Sequence, residues 1–598
     1  MSNFKVTATK DKEKLLAALL PEDFSYDVKI VSDYKKFNTE YDFAVFKDGN
    51  GLVFDCPVYS FAREAILRYL ASEDVGKEVK YKSVWLKYSD FGAAMDGVQD
   101  DYDAIRRTHE AANIEPRHKV RADDSAKYYV KKLSGGAATI MTDTYFGNAE
   151  IIIDDREVDN TDATRAERGA HLFLVANDYN VTYTLDDDPL EIIKRINENG
   201  GVHRDTKTLP LNLGYDALIM PIIESRKIYR RWGHSGRTGP GSPQTEVVFV
   251  NANNEISEET PLLFDYPAIE KINIFRADPA PITICGGLFR QIATRADMPW
   301  AYVNRGFWIQ RSNVTFDGLV HYVENQPLGS ATRTDENGQP IYNDGGPNYN
   351  GFLFPHHSNN LLVKNVKLSG RVHYRQGSYD VGGAYANKII FKNCSQYNMF
   401  EEEDKMFRET GGYWGIQGTN GCKNVEYIDC DLSRFDAHAG VVNFKISGCR
   451  IGIINAVGGG TALIENSTIY NARVIGLRED YAASWEGEII VRNCKLINKE
   501  KKLAVVTGAI HNAEMGLDTV MPNITVENLT HNHKDDIEAF ELFGMRCDDS
   551  FFEENAEIKN NIHVNNTVKI KQPKGYEFTK ISRNEYEKQP LYKEVVIE

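Results

Sequence analysis

Apolar and polar positions along residues 300 to 535 repeat one short pattern. Two or three alternating apolar positions lead to a turn-forming Asn, Asp or Gly, often a Cys, and then another apolar residue. The pattern reads Val314-Phe316-Asp317, Val363-Asn365-Val366, Ile390-Asn393-Cys394, Ile428-Asp429-Cys430, Ile446-Gly448-Cys449, Ile464-Asn466-Ser467, Val491-Asn493-Cys494 and Val526-Asn528-Leu529. Asp429 and Gly448 are 19 residues apart, and Gly448 and Asn466 are 18 apart. The other gaps are longer, as insertions between turns require. Alternation with period two marks strands, and a repeat near twenty residues predicts a solenoid whose coils bury their apolar faces against one another.

The flanks have a different texture. Lys10 to Leu20 reads as a helix stopped by Pro21, and Phe43 to Asp55 as a hairpin around Asp48-Gly49-Asn50-Gly51. Val58 to Ala71 carries Phe61, Ala65, Ile66, Tyr69 and Leu70 on one helical face. These features predict a small α+β domain over residues 1–82, serving as decoration or as an adaptor. Residues 83–300 read as a helix cap and first coils with insertions, including a Gly/Pro-rich loop at Trp232 to Pro243 in which Arg237, Arg230 and Arg231 are solvated. Residues 301–535 form the main ladder, with a polar flank loop at Asn325 to Asn350. Residues 536–598 read as a charged terminal cap or trimer segment with one apolar stretch, Ile562 to Ile570.

Bulk properties narrow the partners. A net charge of −16 argues against nucleic acid, whose phosphates need a basic footprint. No apolar run approaches the roughly 18 residues of a membrane span, and the start, Met1-Ser2-Asn3-Phe4-Lys5, lacks a secretory signal. An extracellular role is then reached by release in an assembled particle. The eight cysteines show neither a C-x-x-C pair nor zinc spacing. Cys394, Cys430, Cys449 and Cys494 share one ladder position and are expected as reduced core residues, although rungs about 4.8 Å apart would admit an oxidised pair.

Asp90-Phe91-Gly92-Ala93-Ala94-Met95-Asp96-Gly97-Val98-Gln99-Asp100-Asp101-Tyr102-Asp103-Ala104-Ile105 places turns at Gly92 and Gly97 and an N-cap at Asp100, for a helix running to about Asn113. Such a helix can cover the open end of a solenoid. The segment resembles the D-F-G-A-x-x-D-G-x-x-D-D-x-x-A-I opening of pectate-lyase-like right-handed β-helices, widespread in phage tailspikes. That resemblance implies an all-β-dominated, right-handed parallel β-helix, with carboxylates that cap and turn rather than catalyse.

Candidate chemistry falls in three clusters. Gly411 to His438 is polar, aromatic and Gly-rich and contains Trp414, Arg434, Asp436 and His438. Counted from Asp429, Asp436 is at +7 and His438 at +9, and the +7 column continues as Asn455 and Arg473, which predicts a water-facing strip. An Asp/His/Arg group can support hydrolysis, with Asp as base or nucleophile, His as proton carrier and Arg as anion stabiliser. The blander alternative is a turn network with Arg434 on the surface. The second cluster, Arg478-Glu479-Asp480-Tyr481 with Trp485-Glu486, lies in a 27-residue coil with about eight residues to spare for a loop. Paired carboxylates beside Tyr and Trp suit sugar binding and acid–base work, or are a solvated pair. The third is Arg371-Val372-His373-Tyr374-Arg375 with Tyr379-Asp380.

Several stretches in order are similar to the β-helix of phage pre-neck appendage proteins, over roughly residues 85 to 535. They are Gly241-Ser242-Pro243-Gln244-Thr245-Glu246-Val247-Val248, Thr260-Pro261-Leu262-Leu263-Phe264-Asp265-Tyr266, Lys423-Asn424, Leu432-Ser433-Arg434-Phe435-Asp436-Ala437-His438-Ala439-Gly440, and Leu477-Arg478-Glu479-Asp480-Tyr481 with Trp485-Glu486-Gly487. The resemblance implies a homotrimeric virion spike that recognises, and in some members hydrolyses, wall teichoic acid, a poly(glycerol phosphate). On that reading Asp436 and His438 transfer protons and Arg434 and Arg478 hold phosphate. Asp480 and Glu479 complete the site or bind a divalent cation (Ca or Mg). His373, Tyr374, Trp414, Arg473 and Trp485 line the substrate, and residues 1–82 meet other tail proteins. The alternatives are a non-catalytic receptor-binding spike, a glycosidase or lyase acting on capsule glycan, and a structural baseplate protein. A Gly-His-Gly with a downstream Arg-x-Lys, as in pectinases, is not evident.

Overall fold

The computed structural model describes residues 84–114, 118–131, 136–157, 171–177, 189–229, 231, 241–293, 305–324, 348–368, 379–396, 418–481, 483–509, 519–546, 562–582 and 591–598. It also describes the strand paths at 4–8, 26–30, 43–45, 51–54, 79–81, 302–303, 331–334 and 340–342. The chain forms a right-handed parallel β-helix. One of its sheets can be followed through in-register parallel partners. Val84–Lys87 lies on His118–Arg121, and Ile282 pairs Val314, which pairs Leu361 and then Ile389. The stack continues through Val425, Phe444, Ala462, Ile489, Ile524, Val568 and Val595 to the last strand, Glu594–Ile597. Inward residues alternate with outward ones as the ladder pattern predicts. Phe391 stacks on Tyr427 with ring centroids 4.7 Å apart, and Phe146, Phe173, Phe289, Phe307 and Phe352 pack edge to face or stacked in the early coils.

Each coil turns at the same point because the ladder residue adopts the left-handed conformation. The φ values are 56° at Asn365, 52° at Asn393, 53° at Asp429, 68° at Gly448, 51° at Asn466, 52° at Asn493 and 52° at Asn528. Asn, Asp and Gly tolerate this region best, which explains the composition of the column. In the first of these coils the left-handed residue is Gly318 and not Asp317. The next residue points inward. Cys430 Sγ accepts the Cys394 backbone N–H at 3.4 Å, Cys449 Sγ accepts that of Cys430 at 3.4 Å, and Ser467 Oγ accepts that of Cys449 at 3.0 Å. The cysteines are free and buried, so they are acceptors for turn amides as well as core packing.

The helix foreseen after Asp100 spans Tyr102–Ile114 and buries Tyr102, Ile105, Thr108, His109 and Ala112 over the first coils. Its preceding carboxylates cap and turn. Asp96 accepts from Val98 and Gln99 amides, Asp100 from Tyr102, and Asp101 from Ala94 and Tyr129. At the N-terminus, Phe4–Ala8, Tyr26–Ile30, Phe43–Val45, Gly51–Phe54 and Val79–Tyr81 form a separate five-stranded sheet, with 43–45 and 51–54 paired antiparallel as the hairpin pattern predicts. The helices expected at 10–20 and 58–71 lie outside the described residues.

Two sequence expectations change. The coils do not fade after 535, because Ala539–Arg546 and Thr567–Lys571 pair in parallel with the coils before them. The segment 325–350 is not all loop, since 331–334 pairs with 340–342 and Asn348–Pro355 joins the sheet of Phe307–Ile309.

After Phe173–Val175, which stacks in parallel between Ala138–Ile140 and Phe307–Ile309, and before Ile282–Ile292, the chain builds a module with its own core. Helix Pro189–Glu198 packs Ile192 and Ile196 on an antiparallel sheet centred on Ala217–Ile228. A buried ion pair ties the module to the coils. Lys423 Nζ lies 2.6 Å from Glu246 Oε2 and also donates to the Pro261 carbonyl, while Glu246 accepts the Leu263 and Phe264 amides. Asn424 donates to the Glu259 carbonyl beside it. Burial pulls the Lys423 ammonium below its ordinary pKa, and Glu246 opposes that shift. The stretches that carry the family resemblance therefore include this clamp. No helix among the described residues is long and apolar enough to cross a membrane.

Lys423→Ala leaves Glu246 charged and buried without its cation. Urea unfolding is expected to show a loss of about 3–5 kcal/mol, and limited proteolysis is expected to cut at 189–277 first. Equal resistance there to wild type would assign the anchoring to other contacts.

Candidate functional site

The strand Asp431–Ser447 passes through the bend and carries Arg434, Asp436 and His438 at alternate positions, on the face away from Phe435 and Ala437. Asp436 pairs in register with Asn455, as the +7 column predicts, but Asn455 then pairs with Gly476. Register is 18 residues from Arg450 to Thr468 and 21 from Asn455 to Gly476, so three extra residues at the intervening bend displace Arg473 from the column. Arg473 still reaches back, donating to Asn455 Oδ1 at 3.0 Å and Thr507 Oγ1 at 3.2 Å.

The strip was expected to face water, and at Asp436 it does not. Asp436 is 0% exposed, and Arg434 is buried rather than on the surface. The extra residues of the 466–493 coil form the loop Arg478–Ser484, held by Arg478 N–H to the Ala456 carbonyl and Ala483 N–H to the Arg478 carbonyl. That loop lays Arg478 over the column. Asp436 accepts from Arg434 through Oδ2 and from Arg478 Nη1 through Oδ1 at 2.5 Å, with His438 Nε2 at 3.2 Å from Oδ2. Arg478 simultaneously holds Asp480 in a fork, Nε to Oδ1 at 2.9 Å and Nη2 to Oδ2 at 2.7 Å, and its guanidinium sits 5.4 Å from the Tyr481 ring centroid. Asp480 takes a further bond from Arg231 Nε at 3.1 Å. Arg231 belongs to the inserted module, so the network bridges module and helix. Tyr379 completes it, its hydroxyl 2.9 Å from His438 Nε2.

The electrostatics fix the roles these groups can take. Burial alone would raise the Asp436 carboxyl, but the Arg434 and Arg478 guanidiniums and His438 outweigh it and hold the pKa far below the ordinary range. A carboxylate so stabilised is a poor proton acceptor and, with both oxygens occupied, a poor nucleophile, so this arrangement disfavours the proton-transfer role expected of Asp436. Burial works against the charge of Arg478, yet Asp436 and Asp480 raise its pKa on balance.

Other expected residues separate. Trp485 is fully buried, donating Nε1–H to the Gly460 carbonyl at 3.2 Å and meeting Phe444 edge to face, so it is core and not a sugar platform. Glu479 is exposed and takes no part in the ion pairs of the cluster. His373, Tyr374 and Trp414 lie outside the described residues. Among the described residues no set of three or more His, Cys, Asp or Glu is placed to hold a metal ion, and Asp480 is already engaged by two arginines. Sequence reasoning left Arg231 as a solvated residue, because its partner Asp480 is 249 positions away. Behind the site, Asp380 is buried beside Gln396, which accepts the Ser433 amide. Burial raises the Asp380 carboxyl well above its usual value, and Oδ2 has no hydrogen-bond partner among the described residues.

No protein-family model matches this sequence, and no curated protein matches it. Among solved structures the chain is similar to the Gp54 tailspike of Acinetobacter baumannii bacteriophage AP22, determined in complex with A. baumannii capsular saccharide. That match has a TM-score of 0.41 and 9% identity over 81% of this chain and 68% of that one. It is also similar to the A-module of the mannuronan C-5 epimerase AlgE6 of Azotobacter vinelandii, with TM-score 0.32 and 12% identity over 86% and 97% of the two chains. A third is ORF18 of Geobacillus virus E2, with TM-score 0.23 and 10% identity over 91% and 75%.

Asp436→Ala takes the shared carboxylate from the buried Arg434 guanidinium and leaves Arg478 with Asp480 alone, so the expected loss is about 3–5 kcal/mol of stability whatever the effect on function. Because the folded-state pKa is depressed, this contribution is complete above the unfolded carboxyl pKa of about 4 and fades as pH falls below it. Asp436→Asn should remove that acid-side slope, and acid titrations followed by circular dichroism would read it. Asp380 has the opposite sign. Its raised pKa means stability present below about pH 4 and lost as pH rises. Wild type is expected to weaken relative to Asp380→Asn between about pH 4 and pH 7, measured by thermal unfolding across that range.

Proposed function

We propose that this protein is a tailspike-like receptor-binding component that holds an anionic bacterial surface polymer along the flank of its β-helix. The supporting observation is the seam where Arg478, Arg231 and Arg434 gather around Asp436 and Asp480, with Arg473 on the neighbouring Asn455, on a chain of net charge −16. Arg231 is 47% exposed and Asp480 21% exposed, so the outer edge of this network is open while its inner edge is locked. Guanidiniums are suited to phosphate and carboxylate, and a locally basic seam on an acidic protein selects an anion by position rather than by long-range attraction. A teichoic acid phosphodiester and an acidic capsular glycan share that chemistry. The resemblance to phage pre-neck appendage proteins supports a virion location at the host surface, a homotrimer, and attachment to tail proteins through residues 1–82.

The geometry favours binding over cleavage. Glycoside hydrolysis needs two available carboxyl groups across the scissile bond, and here both are held by arginines. A second reading, hydrolysis, draws support from His438, 18% exposed and bonded to Tyr379, a pair able to move a proton beside the buried Asp436.

Purified protein incubated separately with poly(glycerol phosphate) teichoic acid and with an acidic capsular polysaccharide tests this. The expected result is retention of one of them without chain shortening, weakened about 5-fold by Arg231→Ala, which exposes no buried charge. Retention of neither polymer, or undiminished retention by Arg231→Ala, would sink the proposal. Low-mass product that disappears with His438→Ala would move the protein to the hydrolytic reading.

A further inference from the structure

At the left-handed corner the ladder side chains are exposed and form a file of amides, each donating to the side chain one coil below. Asn365 donates to Asp317 Oδ1 at 2.8 Å, Asn393 to Asn365 at 2.8 Å, Asn493 to Asn466 at 3.4 Å and Asn528 to Asn493 at 2.9 Å. The file breaks in the middle. Asp429 stands where an amide should donate to Asn393 Oδ1, and an ionised carboxylate has no hydrogen to give. One coil further, Gly448 offers nothing to Asp429, and Asn466 finds no side-chain oxygen beneath it. The break leaves acceptors on one side, Asn393 Oδ1 and the Asp429 carboxylate, and an amide donor on the other.

A groove of about 620 Å³ lies over this break, bordered by Asn365, Asn393, Asp429 and Gly448. Its second wall is the column that follows the corner, in which Lys367, Ser395, Asp431 and Arg450 are parallel partners on successive coils. Arg450 Nη2 bonds Asp431 Oδ2 at 2.5 Å, and Lys367 is exposed. The groove is polar, carries both signs of charge, and runs along the coil axis. Asp431 on its wall lies five residues from Asp436 on the same strand.

We infer that this groove is a second binding site, for a hydroxyl-rich segment such as a saccharide or polyol unit of a linear polymer. A hydroxyl is the group that both donates to Asn393 Oδ1 or Asp429 and accepts from Arg450 or Lys367, all of which line the groove. A purely anionic ligand would meet Asp429 and Asp431, and a bare ammonium would meet Lys367 and Arg450. Gly448 lets the Asp429 carboxylate lie against its backbone, because a Cβ there would fall 2.4 Å from Asp429 Oδ1, and a side chain at 448 must turn that carboxylate end aside. The site goes beyond the arginine seam of the proposed function and does not depend on it.

Repairing the ladder tests the inference. Asn occupies the same left-handed position in the neighbouring coils, so Asp429→Asn together with Gly448→Asn should fold, unfold at the wild-type temperature or above, and close the groove. On an array of immobilised bacterial glycans that includes poly(glycerol phosphate), wild type is expected to retain at least one polymer, and the repaired protein to lose it by about 10-fold or more. Lys367→Ala, a change of one exposed side chain, is expected to weaken the same signal about 3-fold. Undiminished signal from the repaired protein overturns the inference, as does a wild-type protein that retains nothing. The same array read with Arg231→Ala separates the two sites, since signal lost there and kept in the repaired protein assigns binding to the seam alone.

Discussion

The constraint on which this structure depends is that every coil must turn at one point without leaving a buried backbone amide unpaired. A left-handed residue makes the corner, and at Cys394, Cys430 and Cys449 the thiol or hydroxyl one coil further on takes the amide that follows it, while Gln572 takes that of Leu529. With the corner fixed, each strand is held in parallel register, and inward and outward faces follow from alternation. Insertions then have two places to go. They lengthen a bend, as at Arg478–Ser484, or leave the coil entirely, as in the module over 189–277.

Those insertions bring charge to the flank, and burial governs what that charge can do. Lys423–Glu246 and Arg434–Asp436–Arg478 are withdrawn from water and mutually compensated. Such groups are costly to separate and too firmly held for proton traffic. In the arginine seam, charge becomes available at the rim, at Arg231 and Asp480, where partly exposed partners can exchange one another for a ligand. The same contrast runs through the ladder. Its intact amides satisfy one another, and the interruption at Asp429 and Gly448 leaves hydrogen-bonding capacity to spare.

Much of the candidate site could be read ahead of the structure. Counting from the corner puts Asp436, His438 and Asn455 on one flank, the length of the 466–493 coil offers Arg478 and Asp480 as a loop beside them, and these residues meet. The failures share a cause. Arg473 was misplaced because three residues slipped into a bend whose length carries no sequence mark. Trp485 was taken for a platform because an indole beside carboxylates looks alike whether it faces in or out. Arg231 was taken as solvated, although a residue 249 positions away awaited it.

The sequence by itself determined the repeat, the corner residues, the capping helix and the inward faces. These depend on local conformational preference and on alternation, which are written in adjacent residues. Only the tertiary structure decided that Asp436 is buried between two guanidiniums, that the inserted module lends Arg231 to the seam, and that the ladder break opens into a groove. Those outcomes depend on the lengths of distant insertions and on which surface each one covers, because burial and charge pairing are set by neighbours in space.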